Sequence, residues 1–105
     1  MENTNDIGTA LEAFIANSQA KINSYFKENY QHVAPGTLVT MHGKKYIRIV
    51  NKDTVLRSAW AFVDTLTGDI LKAASWKAPA KHSRGNIYKP ETWGTVSWLG
   101  PAYLR

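Results

Sequence analysis

Residues Ile7–Tyr30 read IGTALEAFIANSQAKINSYFKENY, and this stretch decides the fold class. Ile7, Leu11, Phe14, Ile15, Ile22, Tyr25, Phe26 and Tyr30 recur at intervals of three and four residues, one apolar stripe running along a helix. Asp6 or Thr9 is placed to cap its start, and Thr9 with Glu12 has the spacing of a capping box. Pro35-Gly36 stops the segment, because proline lacks the amide hydrogen and glycine favours a turn. The expectation is one helix over about residues 7–30, with its aromatic and isoleucine stripe turned to a core.

After Gly36 the period changes from 3.6 to two. Thr37–His42 and Lys44–Val50 are rich in β-formers and meet at His42-Gly43-Lys44, a hairpin signal. Val55–Asp64 alternates: Leu56, Ser58, Trp60, Phe62 and Asp64 fall on one face, and Val55, Arg57, Ala59, Ala61 and Val63 on the other. Thr65–Asp69 makes a turn, with Gly68 supplying a positive φ, and Ile70–Trp76 reads as the next strand. Lys77–Trp93 reads as a long loop punctuated by Pro79, Gly85 and Pro90, and Thr95–Leu99 as a short last strand. One amphipathic helix against an antiparallel meander of four or five strands is an α+β two-layer fold. Phe14, Ile22, Phe26, Trp60, Phe62 and Ile70 are its expected core.

The 105 residues suit a single domain with a modest core. With 44% hydrophobic and 20% charged residues, the composition is that of a globular chain rather than a disordered one. There is no cysteine, which excludes a disulfide framework and a thiolate metal site and fits a reducing compartment. No apolar run approaches a membrane span. The acidic, polar start, MENTNDIGTALEAF, lacks the basic then apolar order of a secretory signal.

The net charge of +5 is unevenly spread. Up to Gly36, Glu2, Asp6, Glu12 and Glu28 outnumber Lys21 and Lys27; beyond it, eleven Lys and Arg face only Asp53, Asp64, Asp69 and Glu91. The densest run is Lys72–Lys89, KAASWKAPAKHSRGNIYK, which holds Lys72, Lys77, Lys81, His82, Arg84 and Lys89 and no acid. Cations attract phosphates, and the flanking Trp76 and Tyr88 offer rings for stacking on bases. Gly85 after Arg84 lets backbone amides approach a phosphate, and Asn86 can donate or accept at a base edge. Lys44, Lys45, Arg48 and Arg57 on the strands extend the basic surface. The bland alternative is a solvated loop packed in Ω fashion, with Ile87 and Trp93 as its anchors.

Catalysis finds little footing. His32, His42 and His82 have no carboxylate or second histidine at ligand spacing, so neither a metal site nor any cofactor is expected. General acid–base chemistry needs a second positioned group beside His82, and none is visible. Ser58, Ser75 and Ser83 lack a nucleophile-elbow context.

The segment Gly68–Ile87, GDILKAASWKAPAKHSRGNI, resembles the signature of a family of small bacteriophage proteins. Tyr25–Tyr30 (YFKENY), Gly43–Ile47 (GKKYI) and the terminal GPAYLR are similar to that family as well. The resemblance implies a phage origin and action in the cytoplasm of the infected host, and it supplies no catalytic residues.

Three functional classes follow as expectations. The first is a non-enzymatic accessory protein that binds single-stranded or structured nucleic acid through the basic segment; no second helix is free to enter a major groove. The second is a sponge that sequesters a nucleotide messenger of host defence. The third is a minor virion or protein-interaction component. Four tryptophans and five tyrosines are many for a small core, so a homodimer with Trp93, Trp98 or Tyr103 at its interface is expected.

Overall fold

The computed structural model describes residues 6–53 and 56–101; Val55 and Tyr103 lie outside the described residues. One helix, α1 (Ile7–Asn29), packs on a five-stranded antiparallel sheet. The strands are β1 (Thr37–His42), β2 (Tyr46–Lys52), β3 (Arg57–Asp64), β4 (Asp69–Lys72) and β5 (Gly85–Asn86), in spatial order 1-2-3-4-5. A 3-10 turn (Pro90–Thr95) and a small hairpin, β6 (Val96–Ser97) with β7 (Gly100–Pro101), complete the chain. This is the α+β architecture that the change of period predicts.

Asp6, not Thr9, caps α1. Its carboxylate accepts from Gly8 N at 3.0 Å and from the Thr9 hydroxyl at 3.1 Å, so Thr9 serves the cap instead of forming a box with Glu12. Leu11, Phe14, Ser18 and Ile22 are the buried stripe. They meet Leu38, Ile47, Ile49, Ala61, Val63 and Ile70 on the inner face of the sheet. Phe14 is fully buried and touches both Trp60 and Trp93, with ring centroids 6.3 and 5.3 Å apart. Phe26 is only half-buried and sits in an aromatic group with Tyr25, Tyr30 and Trp98, not in the centre.

Strict alternation in β3 fails at one place. Ile49 pairs with Ala61 and Val50 with Ala59, which leaves Trp60 as an extra residue, a β-bulge. Trp60 therefore joins Ala61 and Val63 on the inner face, while Phe62 stays on the outer one. Sequence alternation places Trp60 and Phe62 together; the bulge separates them. Trp60 Nε1 donates to Trp98 O at 3.2 Å, the contact that a buried indole nitrogen needs.

The C-terminal third is more structured than the sequence suggests. β4 ends at Lys72, and residues 73–79 fold into a small turn closed by an Ala73–Pro79 bridge. The expected loop of residues 77–93 contains β5 and most of the 3-10 turn. The expected strand 95–99 is replaced by the β6–β7 hairpin. Trp93 lies in the core beside Phe14, so it offers nothing to a subunit interface. Lys21, from the middle of α1, donates to Trp93 O at 2.9 Å and Val96 O at 2.7 Å and ties the helix to this region. Burial holds its ammonium below the usual lysine value. Among the described residues, no helix is long and apolar enough to cross a membrane.

Candidate functional site

The outer face of the sheet, opposite α1, carries the groove of greatest chemical interest. Met41, Arg48, Phe62 and Leu71 form one cross-strand row on that face. Phe62, Leu71 and Val50 are buried there, apart from the helix-side core. The turn after β4 roofs this cluster. Ser75 Oγ accepts from Lys77 N and Ala78 N, and Ala74 N and Ser75 N donate to Ala78 O. That tight turn lays Trp76 back over the sheet.

Trp76 meets two guanidinium groups. Arg48 lies 4.6 Å and Arg57 5.6 Å from its ring centre, and Arg48 also faces the Phe62 ring at 5.8 Å. These are cation–π distances. Arg48 Nη1 approaches Met41 Sδ at 3.5 Å, and its Nε is buried with no hydrogen-bond partner. No carboxylate pairs with Arg48 among the described residues. Lys45 Nζ stands 5.4 Å from the Tyr46 ring. Lys45, Tyr46, Arg48, Phe62 and Lys77, with His42 at the rim, line an open groove of about 280 Å³. Thr40 Oγ1 and His42 Nε2 are 3.3 Å apart.

The fold thus gathers Lys45, Arg48, Arg57, Lys77 and Trp76 from the sequence-derived candidates, and adds Tyr46. Lys44 is exposed at the adjoining hairpin tip. The rest of the candidates take other positions. Lys72 Nζ donates to Pro101 O at 3.1 Å, fastening β7 to the sheet. Arg84 Nη1 bonds Lys81 O at 2.5 Å and His82 O at 2.8 Å, so its head closes its own loop, where His82 adopts a φ of 74°. Lys81, His82 and Lys89 are exposed on that loop.

Asn86 is fully engaged inside the chain. Its Nδ2 donates to Thr67 O and Asp69 Oδ1, its Oδ1 accepts from Tyr88 N, and its backbone N–H and C=O are bonded to Thr92 Oγ1 and Trp93 Nε1. It fixes the register between the β3–β4 turn and the 3-10 turn and has no side-chain donor left for a base. Tyr88 packs its ring on Gly68, where φ is +79° and a Cβ would lie 2.6 Å from the ring, so this position needs glycine. Gly85 likewise serves packing, with Thr92 O 3.0 Å from a hypothetical Cβ. Asn86 and Tyr88 are therefore organisers of the loop, and the Ω reading with Ile87 and Trp93 as anchors describes it.

The signal for Arg57 and Tyr46 is visible in the sequence only as β-strand cation and aromatic. Their meeting with Trp76 depends on the turn after β4, which no local pattern reveals. Fold and groove together define a small α+β domain with a basic, aromatic-lined outer sheet face. The chain belongs to DUF7717, a family of unknown function whose model matches residues 2–103. No curated protein and no solved structure matches it.

Proposed function

We propose that this protein is a non-enzymatic accessory factor that binds single-stranded or structured nucleic acid across the outer face of its sheet. The observation that carries the reading is Arg48: a guanidinium without a carboxylate among the described residues, held between the rings of Trp76 and Phe62 and flanked by Lys45, Arg57 and Lys77. A cation that no described carboxylate pairs with is a cation available to an anion. Phosphate suits the guanidinium, and the Trp76 and Tyr46 rings provide faces on which bases stack. The groove is open along the sheet, which fits an extended strand better than an enclosed small molecule. On the resemblance to small bacteriophage proteins, the activity belongs in the cytoplasm of an infected bacterium.

The test is a binding titration with single-stranded DNA, single-stranded RNA and mononucleotides at two salt concentrations. Wild type is expected to bind the strands, more weakly at high salt. Arg48→Met and Lys77→Met should each weaken binding evenly across sequences and shallow the salt slope by about one unit. Equal affinity in wild type and both variants would reject the groove. Binding that ignores chain length and salt would move the reading to the sequestering of a nucleotide messenger. A failure to bind any of the three at low salt would leave a protein partner as the ligand.

A further inference from the structure

The two edges of the sheet are finished differently. At the β5 edge, Thr92 Oγ1 accepts from Asn86 N, Trp93 Nε1 donates to Asn86 O, and Thr95 Oγ1 donates to Arg84 O, all within 2.9 Å. That edge is sealed. At the β1 edge the sealing is partial: among the described residues only the Gln19 side chain bonds its outward backbone groups. Gly43 N donates to Tyr46 O, and Leu38 N donates to Gln19 Oε1. Together these bonds set the phase of the strand. Thr37, Val39 and Met41 exchange hydrogen bonds with β2, while Leu38, Thr40 and His42 turn their backbone groups outward. Gln19 also covers Gly36 O, so among the described residues Leu38 O and both backbone groups of Thr40 and His42 form the open part of the edge.

A bare edge is normally defended by lysine, proline or a bulge. β1, TLVTMH, has none of these and no charged Lys, Arg, Asp or Glu. Val39 and Met41 are 38% and 41% exposed on its outer face. Grooves of mixed lining run along both sides of the same edge, one with Leu11, Ile15 and Leu38 beside Glu12 and His42, the other with Val33, Pro35 and Val39 beside Lys52 and Asp53.

We infer that β1 is a homodimer interface, in which two copies pair their β1 strands antiparallel about a two-fold axis at Thr40. This register follows from the bonding phase. Thr40 faces the partner's Thr40 and exchanges both backbone bonds with it. His42 N of each copy reaches the partner's Leu38 O, the atom that Gln19 leaves open. Val39 comes opposite the partner's Met41 on the outer face, an apolar pair. The uncharged strand brings no like charges face to face. The antiparallel arrangement sends the two Lys44–Lys45 hairpins to opposite ends of the joined sheet, away from each other. The result is one ten-stranded sheet. Arg48 lies opposite Met41, one strand in, so the two Arg48 grooves stand three strand spacings apart, about 14 Å, on one continuous face. The inference is independent of what those grooves bind.

The test uses the absence of cysteine from the chain. Sedimentation of wild type at high micromolar concentration should give twice the mass of one chain. Thr40→Lys should give the mass of one chain with an unchanged circular dichroism spectrum. Thr40→Cys places its only thiol on the axis, where the paired Cα atoms are about 5.5 Å apart, inside disulfide range. Mild oxidation should cross-link it to a dimer, while Leu66→Cys, on the distant β3–β4 turn, should stay uncross-linked. A monomeric wild type would overturn the inference. So would a wild-type dimer in which Thr40→Cys cross-links no faster than Leu66→Cys, which would place the interface elsewhere.

Discussion

Among the described residues, each face of the sheet hides one side-chain polar atom without a partner, and the two cases differ in kind. On the helix side it is the Ser18 hydroxyl, fully buried in the stripe of α1 that packs on the core. On the outer side it is Arg48 Nε, in a guanidinium seated on aromatic rings at the wall of an open groove. A buried hydroxyl that makes no hydrogen bond in an apolar core costs stability. A guanidinium beside solvent keeps its charge available while its flat faces are held by rings. The inner face therefore stores stability, and the outer face carries a cationic, aromatic-lined groove roofed by a single turn.

Substitutions at the two faces should separate these roles. The largest expected effect is Phe14→Ala, which removes the ring that joins Trp60 and Trp93. It should lower unfolding free energy by about 3–5 kcal/mol in a urea titration. A loss near 1 kcal/mol would show that the inner face is not the dominant core.

Asn86→Ala comes next. It removes bonds to Thr67 O, Asp69 and Tyr88 N at once, and should cost about 2–3 kcal/mol, since buried groups are left unpaired. Amide exchange should accelerate across residues 67–69 and 86–93 first. An unchanged exchange pattern would remove Asn86 as the organiser of the loop.

The paired changes Ser18→Ala and Arg48→Met test the comparison itself. Ser18→Ala should raise stability by about 1 kcal/mol, because a buried hydroxyl without a partner is replaced by hydrogen. Arg48→Met keeps the aliphatic packing over Phe62 and should change stability by less than about 1 kcal/mol while weakening nucleic-acid binding. A large stability loss from Arg48→Met would make Arg48 a structural element rather than a binding one.

The smallest effect is a pH slope. Burial lowers the Lys21 pKa in the folded state below 10.5, so between that lowered value and 10.5 the unfolded chain holds more protons. Stability from this group should therefore rise as pH climbs through that window. Tyr25 acts oppositely: its pKa is raised above 10.0 by desolvation and by the neighbouring Tyr30, so its contribution falls as pH passes 10.0. Urea midpoints followed into the alkaline range should lose the rise in Lys21→Met and the fall in Tyr25→Phe. A pH profile unchanged in both variants would rule out this assignment.

The sequence by itself determined the elements whose causes are local. The 3.6 period, Asp6 at the start and Pro35-Gly36 beyond the end specify α1 within a residue. The change to period two and the turn glycines Gly43 and Gly68 specify the meander, because backbone freedom and alternation act over a few neighbours. The excess of cations after Gly36 was equally legible, since charge is a count. Tertiary structure decided where those charges point. The bulge at Trp60 leaves no mark in an alternating strand, because the extra residue is recognised only against its partner strand. Asn86 reads as a free base-edge contact until Thr67 and Asp69, 19 and 17 residues away, claim its amide. Lys72, on an expected strand, and Arg84, in the expected loop, read as ligand-facing cations until carbonyl groups of β7 and of the Arg84 loop take their heads. The cluster of Arg48, Arg57 and Trp76 arises only when the turn after β4 folds over the outer face. Hydrogen bonds and cation–π contacts act over a few ångströms, and only the folded chain brings residues so far apart in sequence within that range.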